Sequence, residues 1–278
     1  MKSEIKAYAK VNLFLDITGR LENGYHTLNT VMQQIDLHDD IMVDISDGDG
    51  IFIECDNPAV PCNEKNIVYK AAAAFMAETG NKAKICIGIK KNIPLEAGLG
   101  GSSTDGAAVL KALNEMYGYP LSTEKLCEAG AKLGADVPFC ITGGTAVCKG
   151  IGEIIKPVSC LKDYVFLVVK PGFSCSTPAG YKAYDENPIP DNKDFEEFVD
   201  SLPHGAEKWA EKMYNVFEKL YADERIAQIT RTLKNCGALG SILTGSGSAV
   251  FAIFRNYEAA EKALKKIDLQ FKIITRPE

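Results

Sequence analysis

Apolar positions along this chain switch between a period of two and a period near 3.6, and the switches outline its elements. In residues 5–17, Val11, Leu13 and Leu15 take one parity while Lys10 and Asn12 take the other, so this stretch reads as one or two strands. Arg20 to Gly24 is a turn, with Asn23-Gly24 a strong hairpin signal. Residues 28–37 and 41–45 read as two strands broken by Asp39-Asp40, residues 46–50 as a turn, 51–55 as a strand and 57–63 as a loop. Residues 64–78 place Ile67, Val68, Ala71, Ala74 and Phe75 on one helical face, with Gly80 as the stop. Residues 83–90 form a strand-like run, and Ala107, Val109, Leu110, Leu113 and Met116 mark a helix after it.

In the second half, Ser122 caps a helix reaching about residue 133. Residues 134–140 contain Pro138 and read as a short irregular turn, and 145–156 as a hairpin after Gly143-Gly144. A boundary is expected between 157 and 163, dividing the chain into domains 1–157 and 158–278. Residues 164–169 are a buried strand, 171–178 a loop, 179–184 a helical turn, and 185–194 a polar connection. Helices are expected over 195–202 and 206–221, where Trp209, Met213, Val216, Phe217 and Leu220 form a core stripe rather than a cofactor box. A helix over 223–235, a strand–turn–strand over 239–254, a helix over 257–266 and a strand over 271–275 complete the chain.

Between the strand-like run and its helix lies the most unusual stretch, Pro94-Leu95-Glu96-Ala97-Gly98-Leu99-Gly100-Gly101-Ser102-Ser103-Thr104. Glycines let the backbone turn sharply and approach a ligand closely. The helix that follows opens with unpartnered N–H groups and the positive end of its dipole. Strand, glycine loop and helix N-terminus together form a backbone cradle for phosphate. Capping alone needs fewer small residues than this. No lysine follows the glycines as in the P-loop, and no register places glycine at all three positions of G-x-G-x-x-G.

Composition narrows the class. The chain has 278 residues, 46% hydrophobic and 24% charged, which is that of a soluble globular protein. A net charge of −6 leaves no basic footprint for nucleic acid. Apolar runs are too short to span a bilayer, and the N-terminus lacks the apolar core of a signal peptide, so no membrane association and a cytoplasmic location are expected. Nine scattered cysteines without a C-x-x-C, and three histidines without ligand spacing, predict neither a disulfide framework nor a metal site. Asp136, a lone acid among apolar neighbours, must be hydrogen-bonded; it reads either as a capping residue or as a general base. Lys10 reads as a solvated strand residue or as a charge held opposite such an acid. Tyr25 and His26, directly after the turn, either close the hairpin or stack on a planar ligand and bond to its edge. Thr244-Gly245-Ser246-Gly247 is a second small-residue turn whose backbone could approach a ligand.

The order of these signals resembles the GHMP kinases over nearly the whole chain. A Lys/Asn strand comes first, then P-x-x-x-G-L-G-G-S-S-T, then G-A-D-V-P-F, then L-T-G-S-G-S-A-V-F. Ala9 to Leu13, Asn23 to His26, Val31 to Gln33 and Gly134 to Phe139 are similar to the branch of that family that acts on a cytidine-diphosphate-linked sugar alcohol. The resemblance implies a two-domain α+β fold with the active site in the cleft between domains. It also implies ATP with Mg²⁺ held mainly through phosphate oxygens, and a small-molecule alcohol as acceptor. It makes Asp136 the general base and Lys10 its electrostatic partner, and gives residues 94–104 to the ATP phosphates. Asn12 and His26 become substrate contacts, Tyr25 and Tyr181 the two faces around a cytosine ring, and Thr244 to Gly247 a support for substrate-side phosphates. The loop departs from the family pattern at Ser102, where glycine is commoner, and at Thr104, where serine is commoner; both stay small, and Thr104 keeps a hydroxyl.

Two rivals are set against this reading. A homoserine or mevalonate kinase would not need Tyr25, His26 and Tyr181 around a cytosine. A non-catalytic sensor on the same fold would be expected to lack Lys10 or Asp136, and both are present. Monomer and homodimer are both left open.

Overall fold

The long alternating runs at the N-terminus become two long strands, β1 (Lys2–Arg20) and β2 (His26–Ser46), in the computed structural model, which describes residues 1–158, 163–190, 192 and 194–278. Next come β3 (Gly50–Cys55), α1 (Ile67–Thr79) and β4 (Lys84–Lys90). The glycine loop leads into α2 (Gly101–Met116), then α3 (Thr123–Ala131) and α4 (Val137–Thr142). The chain continues through β5 (Thr145–Lys149), β6 (Ile154–Val158), β7 (Val165–Lys170), α5 (Thr177–Glu186) and α6 (Phe195–Ser201). It closes with α7 (Ala206–Trp209), β8 (Tyr214–Asn215), α8 (Val216–Tyr221), α9 (Glu224–Asn235), β9 (Gly240–Leu243), β10 (Val250–Phe254), α10 (Tyr257–Leu264) and β11 (Phe271–Thr275). The expected boundary at 157–163 includes residues 159–162, which lie outside the described residues, as do 191 and 193 of the expected polar connection.

Two compact units interleave along the sequence. The first holds Met1–Ala9, Leu37–Ile93 and Gly100–Gly143. Here β4 pairs antiparallel with β2, Asp40 opposite Lys90 through Ser46 opposite Lys84, and parallel with β3. Ile85, Ile87 and Ile89 of β4 point inward while Lys84 and Lys90 point out, the period-two pattern of a sheet with one buried face. Val68, Ala71, Ala72 and Phe75 of α1 are buried, as are Val109, Leu110 and Leu113 of α2, and the two helices pack together. Each such large apolar side chain contributes roughly 1.5–3 kcal/mol on leaving water. Asn66 caps α1 by accepting from Val68 N–H, and Gly80 ends it in the left-handed region.

The second unit holds Lys10–Asp36, Pro94–Leu99 and Gly144–Glu278. Its antiparallel sheet has the order β11-β7-β10-β9, and α8, α9 and α10 contribute to the apolar cluster built on it. The first half of β2 pairs with β5, and β1 runs parallel to the short β8, Phe14 beside Tyr214. Phe14 packs against Phe195 and Phe198, and Trp209 lies edge-on to Phe198. Trp209 is therefore a core residue, as its stripe predicts.

Three expectations need correction. Residues 28–45 are not two strands but part of β2, because Asp39 inside it is fully buried and bonded rather than turned to water. Residues 134–140 are not merely an irregular turn: α4 begins at Val137, with Pro138 in its first turn, where a missing N–H costs no helix bond. The helix expected over 206–221 is broken. Met213 is extended (φ −53°, ψ 139°), and Asn215 starts α8 by accepting from Phe217 and Glu218 N–H. Val216, Phe217 and Trp209 are buried all the same, so burial accounts for that stripe without a continuous helix.

Candidate active site

In the second unit the two glycine-rich turns meet. Gly98 has φ +76°, and a Cβ there would stand 2.9 Å from the Thr244 carbonyl carbon and 3.1 Å from Gly247 N. Only glycine fits this approach at this backbone angle. Ala249 N–H donates to the Ala97 carbonyl at 3.1 Å, extending the contact. The turn from Thr244 to Gly247 is held from behind. Asn215 Nδ2 donates to the Leu243 and Gly245 carbonyls, both at 2.9 Å, and the Tyr221 hydroxyl donates to the Ser246 carbonyl at 3.1 Å. Ser246 and Thr177 hydroxyls bond at 2.9 Å. Glu218 Oε2 accepts from Leu243 N–H at 2.6 Å, and burial pushes its carboxyl above the usual range.

Lys10 and Asn12 share a face of β1, as their parity predicts. Lys10 is only 4% exposed, so it is not a solvated strand residue. Its Nζ donates to Asn12 Oδ1 at 2.8 Å. Asn12 also donates from Nδ2 to Thr30 Oγ1 at 2.9 Å and accepts from Gly245 N–H at 3.1 Å. Its backbone N–H donates to Thr244 Oγ1 at 3.0 Å. Asn12 is thus a strut that fixes both the ammonium and the second glycine turn.

Around the hairpin turn the structure brings His26 and Tyr181 together. Their rings stack at 4.8 Å with 20° between planes, and Tyr184 meets His26 edge-on. His26 Nε2 bonds to Asp185 Oδ1 at 2.7 Å, and Arg20 reaches Asp185 Oδ2 at 3.3 Å. A carboxylate can only accept, so Nε2 carries the hydrogen of this bond. Tyr25 is 58% exposed, next to this cluster in sequence. Sequence reasoning missed Asp185, Arg20 and Tyr184, placing Asp185 in a connection. The spacing Tyr181, Tyr184, Asp185 is i, i+3, i+4 and would have put all three on one helical face.

In the first unit the loop becomes α2. Gly100 (φ +73°) precedes the helix without a side-chain cap, and Ser102, Ser103 and Thr104 fill its first turn. Thr104 is buried and donates from Oγ1 to the Tyr8 carbonyl at 2.7 Å. Beside this helix start runs the turn that carries Asp136: a Cβ on Gly134 would lie 3.8 Å from Ser103 Oγ. Asp136 stands at the N-cap position of α4, and its side chain makes no capping bond there. Among the described residues no cluster of three His, Cys, Asp or Glu side chains could hold a metal ion, and no helix is long and apolar enough to cross a membrane.

Residues 66–144 match the GHMP kinases N terminal domain and residues 200–273 the GHMP kinases C terminal domain. A Clostridium botulinum (strain Eklund 17B / Type B) protein named 4-diphosphocytidyl-2-C-methyl-D-erythritol kinase is 42% identical over 266 residues, 95% of each chain. The chain belongs to the GHMP kinase family, and is an ATP-dependent small-molecule kinase. A solved structure of 4-(cytidine 5'-diphospho)-2C-methyl-D-erythritol kinase superposes with TM-score 0.78 at 31% identity, covering 95% of this chain and 94% of the other. A homoserine kinase structure from Cytophaga hutchinsonii reaches the same TM-score of 0.78 at 19% identity, which speaks to the fold alone.

Proposed function

We propose that this kinase transfers the γ-phosphate of ATP to a hydroxyl of 4-diphosphocytidyl-2-C-methyl-D-erythritol, giving the 2-phosphate and ADP, in the non-mevalonate route to isoprenoid precursors. The observation that carries the reading is about 40% identity, over nearly the full length, to proteins named for that activity. Phosphoryl transfer asks the protein mainly for positioning and for charge stabilisation. Backbone N–H groups of residues 94–104 at the start of α2 would hold the ATP phosphates. Bound with the nucleotide against residues 94–104, Mg²⁺ would offset charge on the phosphates.

Asp136, which leaves its helix uncapped, would accept the proton of the attacking hydroxyl. Lys10, buried and aimed by Asn12, would offset charge on the transferring group. His26 Nδ1 would accept from the exocyclic amine of cytosine, with Tyr25 and Tyr181 against the faces of the ring and Asn12 near the substrate. Thr244 to Gly247 would support the diphosphate. The two-domain reading, 1–157 and 158–278, is supported by the family matches, each of which falls inside one of those ranges.

The test is coupled ADP release with Mg·ATP and the cytidyl compound, homoserine or mevalonate as acceptor. Turnover with the cytidyl compound alone is expected. Turnover with homoserine or mevalonate instead would sink the cytosine assignment.

A further inference from the structure

Three buried ionisable side chains at the base of the glycine loop have no part in the reaction described above. Lys91 directly follows β4, Asp39 lies inside β2, and Asp105 lies in the second turn of α2. Their side chains are 3%, 0% and 6% exposed. Lys91 Nζ bonds to Asp39 Oδ2 and, at 2.8 Å, to Asp105 Oδ2. The other oxygen of Asp39 accepts from Asn92 N–H at 2.6 Å and from Ile93 N–H at 2.8 Å. A Cβ on Gly101 would lie 3.5 Å from Lys91 Nζ and 3.1 Å from Ile93 Cγ2.

Asp39 therefore grips the chain just before the loop, and Asp105 the helix just after it. One ammonium joins the two carboxyl groups. Apolar side chains of similar volume would fill this space at comparable or lower free energy, so stability alone does not explain these polar groups. What charged groups add is direction, since each oxygen and each ammonium proton fixes its partner along a line. Asp105 Oδ1 is buried without a hydrogen-bond partner, which is costly to keep unless the group does something.

We infer that Lys91, Asp39 and Asp105 are positioning residues that tie the two ends of the loop at residues 94–100 to one buried point, keeping its N–H groups aimed at the ATP polyphosphate. This rests on the reading of residues 94–104 as the ATP loop.

The test compares Asp105→Leu and Asp105→Asn with the wild type in two assays: steady-state kinetics, and hydrogen exchange of the Asn92 and Ile93 amides in the ligand-free protein. Leucine fills the space without a directed bond, whereas asparagine keeps an acceptor for Lys91. In Asp105→Leu the expected result is about tenfold faster exchange at those amides and about a tenfold higher KM for ATP, with kcat and the acceptor KM little changed. Asp105→Asn is expected to restore both readouts to near wild type. Unchanged exchange in a folded Asp105→Leu overturns the inference, and so does a fall in melting temperature without the KM split. Faster exchange with an unchanged KM for ATP overturns the ATP-loop reading instead. Should Asp105→Leu fail to fold, Asp105→Ala, which also removes the acceptor for Lys91, is put through the same two assays, with the same expected and overturning results.

Discussion

Gly98 and Thr244, 146 positions apart, meet backbone to backbone: Thr244 Oγ1 lies 3.4 Å from the Gly98 carbonyl, and a Cβ on Gly98 would be 2.9 Å from the Thr244 carbonyl carbon. Gly98→Ala therefore has to move backbone, not a flexible side chain, and at a φ that L residues avoid. We expect a loss of stability of about 2 kcal/mol or more, with weakened ATP binding. Thermal melting and the KM for ATP check it; an unchanged melting point would show that the turns can slide apart freely.

Asp136→Asn keeps the size of the side chain and removes its basicity. If Asp136 accepts the substrate proton, kcat falls by about 10²–10⁴ while the melting temperature and the KM for ATP stay near wild type. The Asp136 side chain does not cap α4, so the exchange removes no capping bond from that helix. A variant within a few-fold of wild-type kcat would remove the base from Asp136.

How much of this was legible beforehand depends on whether the signal was local. The loop from Pro94 to Thr104 and the shared face of Lys10 and Asn12 needed only glycine chemistry and strand parity. The bonds by which Asn215 Nδ2 holds the second glycine turn escaped notice because the carbonyls that accept them, Leu243 and Gly245, lie 28 and 30 residues away. Asp39 was misread for the same reason. Two adjacent aspartates look like a break, and only Lys91, Asn92 and Ile93, more than 50 positions later, satisfy the carboxylate inside a strand. Asp185 bonds to His26 from 159 positions away, yet its helical spacing to Tyr181 was there to be used.

That Asp185 bond leads to a specificity prediction. Without the carboxylate, the His26 ring loses the partner that fixes its tautomer and angle, and Arg20 loses its counter-charge. Asp185→Ala is expected to raise the KM for the cytidyl acceptor by about tenfold, the worth of one charged hydrogen bond, with the KM for ATP unchanged. Equal effects on both KM values would make Asp185 a general structural residue and detach it from base recognition.

The pH dependence of stability follows from Asp105. Burial, reinforced by Asp39 and opposed by Lys91, pushes its carboxyl up to about 8; these two are the charged groups that face it. In the unfolded chain the same carboxyl ionises near the ordinary aspartate value of about 3.9. Between those values the native state holds a proton that the unfolded state has released. Stability then falls as pH rises, because the slope follows the protons bound when unfolded minus those bound when native. The contribution is complete below the unfolded value and is lost as pH passes the folded one. Asp105→Asn cannot ionise, so its urea midpoint relative to wild type should climb steadily from pH 5 to pH 8. Parallel midpoint curves for the two proteins over that range would mean that Asp105 is ionised in the native state at neutral pH, with Lys91 holding two carboxylate charges at once.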